Sequence, residues 1–358
     1  MIWPDIREDL KLFDGYHSPQ LDVNIRLNTN ESPLPPPEPW IKELQHVVSR
    51  IEWNRYPDRH AEELNSQLAT YHNVDGSNIV CANGSNEVIQ SVLLAFGGND
   101  RSMMLFEPTY ALHSHIGKVT GTNVIALDRN DSFLFGEEDL QKVIDGKPNM
   151  VFLCSPNNPT GIIESKEMVT ALLDSCSKTG TLLLVDEAYG EFSDWSAIEL
   201  VEDNAPIVVT RTFSKAHGFA AGRLGYAVGA KRIVDGLKEV LLPYHLDSFK
   251  QIAGITALKY QDEMMQRVQY LKSQRDQVSK ELRSLPFSVW ESGANFILFK
   301  VEEGLNLTGR QLWEALADSS VLVRDCSNWP KLSDCLRVTI GTEKENKSFI
   351  DSLKAIIG

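Results

Sequence analysis

Three short polar segments carry the reactive side chains of this sequence: Ser155-Pro156-Asn157-Asn158-Pro159, Asp186-Glu187-Ala188-Tyr189 and Thr212-Phe213-Ser214-Lys215. A carboxylate at a buried strand end needs a cation or several donors to stay ionised, so Asp186 calls for a protonated partner. Lys215 lies between Ser214 and Arg223, in a stretch of small residues that includes Gly218, Ala220, Ala221 and Gly222. Small residues let backbone approach a ligand closely while a guanidinium clamps an anion. A solvated surface charge is the ordinary fate of a lysine, but it leaves that pattern of Ser, Gly and Arg unexplained. A second anion contact is Gly84-Ser85-Asn86, ahead of a helical pattern over 87–96 closed by Gly97-Gly98. Free N–H groups and the positive end of a helix dipole suit a phosphate there. Alone, that segment reads more simply as an N-cap.

The elements that must position these groups are short apolar runs alternating with helical patterns between about residues 41 and 230. The runs at 150–154, 181–185, 206–210 and 224–228 are bounded by Gly, Asn and Ser, which suits parallel strands covered on both faces. In open α/β sheets ligands bind beyond the carboxyl ends of the strands, so the three polar clusters should meet in one site. Polar strand ends are common enough to account for one cluster, and poorly for three that complement one another. The first 40 residues, with Pro33-Leu34-Pro35-Pro36-Pro37 near their end, hold neither period for long and read as an arm. Beyond 245, the patterns at 247–260 and 262–285 are helical. A strand at 295–301, a helix at 309–317, strands at 321–324 and 336–340 and a closing helix through 357 then suggest a small α/β domain. The expectation is an α/β protein with an arm at 1–40 and a large, mostly parallel-sheet cofactor domain at 41–245. Linking helices and a smaller C-terminal α/β domain follow at 246–358.

A net charge of -14 over 358 residues argues against nonspecific binding of nucleic acid or acidic membrane, so local arginines must hold any anionic ligand. No window reaches the length of a membrane span and the start lacks a basic-then-apolar pattern, which predicts a cytoplasmic location. The five cysteines are scattered without a CxxC pair and read as reduced, mostly buried thiols. His113 and His115 lack an acidic or thiol partner at ligand spacing, so no metal is expected and both read as core or surface histidines.

Pyridoxal phosphate needs a lysine for a Schiff base, an acid beside its ring nitrogen, donors to its phenolic oxygen and a phosphate cup. Lys215, Asp186, Asn158 with Tyr189, and Ser85 with Ser214 and Arg223 supply that set, and Tyr110 is suited to cover the ring face. The order Ser155-Pro-Asn-Asn-Pro-Thr-Gly161, Asp186-Glu-Ala-Tyr189, Ser214-Lys215, Arg223 resembles the fold-type-I aminotransferases. Four further segments are similar to the histidinol-phosphate aminotransferase family: Arg26-Leu-Asn-Thr-Asn-Glu-Ser-Pro33, Asn54-Arg-Tyr-Pro-Asp58, Asn83-Gly-Ser-Asn-Glu87 and Cys335-Leu-Arg-Val-Thr-Ile-Gly-Thr342.

The resemblance spans essentially the whole chain. It implies a pyridoxal-phosphate-dependent transamination between L-histidinol phosphate and 2-oxoglutarate, giving imidazole acetol phosphate and glutamate in histidine biosynthesis. It further implies that Asn158 and Tyr189 contact the phenolic oxygen, Asp186 the pyridinium and Asn86 the phosphate. Tyr56 would reach the cofactor phosphate of the neighbouring subunit in a homodimer. Arg337 would bind the carboxylate of glutamate, with Arg324, Tyr16 and Asn30 as further substrate contacts. The sequence departs from the family pattern at Asn86, where Asp is usual, and at Ala220-Ala221-Gly222, where Ala-Gly-Leu is favoured. Arg324-Asp-Cys-Ser327 also resembles relatives that decarboxylate threonine phosphate, but the run from Leu336 to Thr342 favours the transaminase.

Overall fold

Where the sequence runs apolar over five or six residues without alternation, the chain places central strands. The structure, a computed structural model, describes residues 3–10 and 20–358. Its strands are β1 (Ile25–Arg26), β2 (Ile79–Ala82), β3 (Ser102–Glu107), β4 (Asn123–Asp128), β5 (Met150–Cys154), β6 (Leu182–Asp186), β7 (Ile207–Thr212), β8 (Gly225–Gly229), β9 (Phe287–Val289), β10 (Phe296–Val301), β11 (Val321–Leu322), β12 (Arg324–Asp325) and β13 (Cys335–Thr339). Seven of them form one sheet in the order β2-β8-β7-β6-β5-β3-β4. From β4 through β7 all neighbours are parallel.

Every residue of β5, β6, β7 and β8 is buried, because helices cover both faces of the sheet. On one face Leu64, Leu68, Leu172, Cys176 and Ala253 pack against Val151, Leu183 and Val209. On the other, Val88, Ile89, Val92, Val234 and Leu237 meet Leu105, Phe152, Leu184 and Val208. The strand expected to be parallel at 224–228 is instead antiparallel to both β7 and β2. Between β7 and β8 the chain makes only the 3-10 turn Ala220–Gly222. Without a crossover helix it folds back beside the strand it has just left.

The second sheet, β12-β13-β10-β9, is antiparallel throughout. The long helix Gln261–Arg283 buries Met264, Val268, Leu271, Gln274, Val278 and Leu282, the three-and-four spacing of one helical face. Its apolar members join Phe296, Ile297, Phe299, Leu336 and Val338 in a core that also takes in Leu27 from the arm and Tyr189, Phe192 and Ala216 from the large sheet's loops. The core of the smaller sheet therefore reaches under the ends of β6 and β7. The run at 321–324 does not form the one strand expected of it. Val321 and Leu322 pair in parallel with Ile25 and Arg26 of the arm, whereas Arg324 and Asp325 join the second sheet. The five cysteines are free and buried. Among the described residues no helix is long and apolar enough to cross a membrane.

Candidate functional site

The carboxyl ends of β5, β6 and β7 open into a cleft. Thr29, Asn30, Ser85, Asn86, Tyr110, Asn158, Asp186, Tyr189, Thr212, Ser214, Lys215, Arg223 and Arg337 line it. The three clusters singled out by sequence thus converge, joined by the arm, by the helix Ser85–Phe96 and by β13.

Asp186, the last residue of β6, is 1% exposed. Its Oδ1 accepts from the Ala188 backbone N–H at 3.0 Å and from the Thr210 hydroxyl at 3.2 Å, and its Oδ2 lies 2.9 Å from His113 Nε2. A carboxylate only accepts, so the shared proton of that pair sits on Nε2. His113 is fully buried in the helix Ala111–Val119, edge-on to Tyr110 at 5.4 Å. Sequence reasoning assigned it no partner. The partner is Asp186, 73 residues away and invisible to any local spacing rule.

Lys215 directs Nζ to the carbonyl of Thr29 at 3.1 Å and lies 5.6 Å above the Tyr189 ring. Burial, then the nearby Arg337 guanidinium, pull its ammonium down to about 7. A lysine this perturbed carries a large neutral fraction near neutral pH, which a nucleophile or proton carrier requires.

The opposite end of the cleft is built to receive an anion. Arg223 Nη1 donates to Ser214 Oγ at 3.2 Å, and Thr212 Oγ1 donates to the same oxygen at 3.0 Å. Arg223 lies against Gly84, where a Cβ would stand 2.8 Å from Nη2, and Gly84 has a left-handed φ of 86°. A Cβ on Gly225 would come within 2.4 Å of the Ser85 backbone nitrogen. The absence of side chains at both positions brings the start of β8 against the first turn of the helix, concentrating N–H donors and a guanidinium at one point. Tyr110 Oη reaches Asn86 Oδ1 at 3.5 Å.

Arg337, on β13, is 5% exposed. It donates from Nη1 to Asn158 Oδ1 and from Nη2 to the Asn28 carbonyl at 2.7 Å, while its buried Nε has no partner. Arg324 stands directly opposite Arg337 across the β12–β13 ladder, so both side chains leave one face of the sheet. Arg324 is not among the residues that line the cleft itself. Asn30, buried and with a left-handed φ of 56°, lines the cleft, but its amide is committed to Tyr189 and Thr339. Tyr56 is 81% exposed and stacks on Tyr244 with centroids 4.6 Å apart, away from this chain's own cleft. Tyr16 lies outside the described residues. Thr212, the first residue of the third polar cluster, and Thr29 of the arm, to which no role was assigned, also line the cleft.

Residues 22–353 match the family model described as aminotransferase class I and II. Histidinol-phosphate aminotransferase of Corynebacterium diphtheriae is 40% identical over 98% of this chain and 96% of its own, and that of Frankia casuarinae is 40% identical over 97% and 89%. Among solved structures, histidinol-phosphate aminotransferase from Clostridium acetobutylicum superposes with a TM-score of 0.84 at 25% identity, covering 93% of this chain and 99% of the other. The Sinorhizobium meliloti enzyme, solved in complex with pyridoxal-5'-phosphate, shares the fold with a TM-score of 0.86 at 21% identity, covering 94% of this chain and 91% of its own.

The donor set fits that cofactor. A buried carboxylate at one end suits a protonated ring nitrogen, a partly neutral lysine suits its aldehyde, and a helix start with Ser214 and Arg223 suits its phosphate. On the strength of the match over nearly its full length, the chain belongs to the class I and II aminotransferases, and its cofactor is pyridoxal phosphate.

Proposed function

We propose that this aminotransferase exchanges the amino group of L-histidinol phosphate with 2-oxoglutarate, giving imidazole acetol phosphate and L-glutamate, in the cytoplasmic pathway to histidine. The observation that carries the reading is the 40% identity to enzymes named for that donor over 98% of this chain. The arginine pair supports it. Arg337 lines the cleft and Arg324 stands opposite it on the β12–β13 ladder, so an anion bound at Arg337 would ease the repulsion of like charges across the ladder. Fork-shaped guanidinium groups accommodate a phosphate and a carboxylate alike, which one pocket must do here for two different substrates.

When bound, pyridoxal phosphate supplies the electron sink for the bond broken at the substrate's amino-bearing carbon. Asp186 holds a proton on the ring nitrogen through its negative charge, and His113 and Ala188 fix the direction of its two oxygens. Because Asn158 Oδ1 accepts from Arg337, its amide N–H groups are left to donate into the cleft toward the phenolic oxygen, beside the Tyr189 hydroxyl. Lys215 Nζ is placed to take the proton from the substrate's amino-bearing carbon as a base and, as an acid, would return it two atoms further along, at the cofactor's aldehyde carbon. Ser85, Asn86, Ser214 and Arg223 anchor the phosphate, and Tyr110 covers the ring. The large sheet's segment 41–245 acts as the cofactor domain and 246–358 closes the substrate side. Exposed Tyr56 completes the phosphate cup of a second subunit in a homodimer.

The reading is tested by adding L-histidinol phosphate to the cofactor-loaded protein and following its visible spectrum. Conversion to the pyridoxamine form, reversed by 2-oxoglutarate, is the expected outcome. A spectrum indifferent to histidinol phosphate, with carbon dioxide released from threonine phosphate, would replace the transaminase by the decarboxylase.

A further inference from the structure

Tyr189 can serve the phenolic oxygen of the cofactor only if its single hydroxyl proton points into the cleft. A phenol oxygen also accepts, and which it does is set by its other neighbour. That neighbour is Asn30, whose Nδ2 lies 2.9 Å from Tyr189 Oη. Amide nitrogen and oxygen are distinguished by the groups around them, and here Thr339 decides. Its hydroxyl oxygen accepts the Asn30 backbone N–H at 2.9 Å, and its proton needs an acceptor in a site where both residues are at most 2% exposed. Asn30 Oδ1, 3.1 Å away, is that acceptor. With Oδ1 turned to Thr339, the amide must present its NH₂ to Tyr189. The left-handed backbone that allows this is pinned by Asn295 Nδ2, which donates to the Asn30 carbonyl at 3.2 Å.

We propose that Thr339 and Asn30 form a positioning relay that makes Tyr189 a hydrogen-bond acceptor on its inner side, and so a committed donor to the cofactor's phenolic oxygen. This inference rests on the reading of Tyr189 given above. The relay joins the arm, the large sheet and β13 at one hydroxyl. The orientation of a proton at the cofactor therefore depends on the smaller sheet being docked.

A donor to the phenolic oxygen draws electron density from it, so that oxygen stabilises the proton on the adjacent imine nitrogen less well. Losing the donor lets that nitrogen hold its proton to higher pH. The experiment is a pH titration of the visible absorption band of the holoenzyme in wild type, Thr339→Val, Thr339→Ser, Tyr189→Phe and the Thr339→Val/Tyr189→Phe double variant, with thermal melting alongside. Thr339→Val should raise the midpoint by about 0.5–1 pH unit, the scale of one hydrogen bond. Thr339→Ser should restore it, and the double variant should titrate like Tyr189→Phe alone. Asn30→Gly, which tolerates the left-handed backbone, should reproduce the Thr339→Val shift and serves if that variant does not fold. An unmoved midpoint in Thr339→Val while Tyr189→Phe shifts would overturn the relay, as would additive shifts in the double variant. No shift in Tyr189→Phe would overturn the assignment of Tyr189 to the phenolic oxygen, and the relay with it. A merely structural role would change melting and leave the midpoint in place.

Discussion

Replacing Arg337 by Ala removes a guanidinium that is 5% exposed, bonded to Asn158 and to the Asn28 carbonyl, and left with an unpartnered Nε. Two separable losses follow. The first is the contact with substrate: a charged hydrogen bond contributes about 1.5–3 kcal/mol, so the glutamate half-reaction should lose roughly 10- to 150-fold in kcat/KM. The second falls on the fold, because Asn158 Oδ1 and the Asn28 carbonyl lose their donor at a cost of about 1–3 kcal/mol per buried group. Arg337→Lys separates the two, since it keeps the charge but not the fork, and its loss should fall between wild type and Ala. The assay is single-turnover absorbance of the bound cofactor, with glutamate and with histidinol phosphate in separate experiments over a range of concentrations. Both half-reactions should weaken in Arg337→Ala, and saturation should move to higher substrate. If Arg337→Ala melts earlier yet reacts with glutamate as wild type does, Arg337 is a scaffold residue and the carboxylate assignment is refuted.

Two other outcomes follow from the same geometry. Capture of pyridoxal phosphate by the cofactor-free protein requires a neutral Lys215; because that amine titrates at about 7, the capture rate should rise with pH and level off above that value. Stopped-flow absorbance from pH 5.5 to 9 checks this, and a rate still climbing through pH 9 would contradict it. Gly225→Ala should weaken cofactor affinity by at least tenfold, about 1.4 kcal/mol or more, because backbone within 2.4 Å of the new Cβ must move at the phosphate cup. Equilibrium dialysis against pyridoxal phosphate measures it, and wild-type affinity would show that the close approach of β8 to Ser85 is not needed.

The sheet strands and the convergence of their three polar ends were legible in sequence because unbroken apolar runs and the residues just after them are local signals. Lys215, Asp186, Asn158 and Arg223 line the cleft for that reason. What local signals could not carry was direction and distant pairing. The run before Val228 looked like its parallel neighbours, since burial on both faces gives the same composition either way. The clue to its reversal was the missing helix between 213 and 224. Val321 to Arg324 read as one strand because nothing in the run marks a change of partner at Val323. His113 and Thr339 escaped notice because their roles lie in the atoms they touch, 73 and 309 residues away along the chain.

The pairing of Ile25 with Val321 has a consequence for how the molecule is made. The arm leaves the ribosome well before its partner strand, which follows about 300 residues later, some 15–60 s at usual elongation rates. Throughout that interval the large sheet can assemble, but Asn30 has no Thr339 to bond and the cleft has no floor. Vectorial synthesis therefore keeps the site incomplete until β11 and β13 have been made. A nascent large domain that met its cofactor early would hold it through Asp186, Asn158, Lys215 and the phosphate cup, without the arm's partner strand or β13 in place.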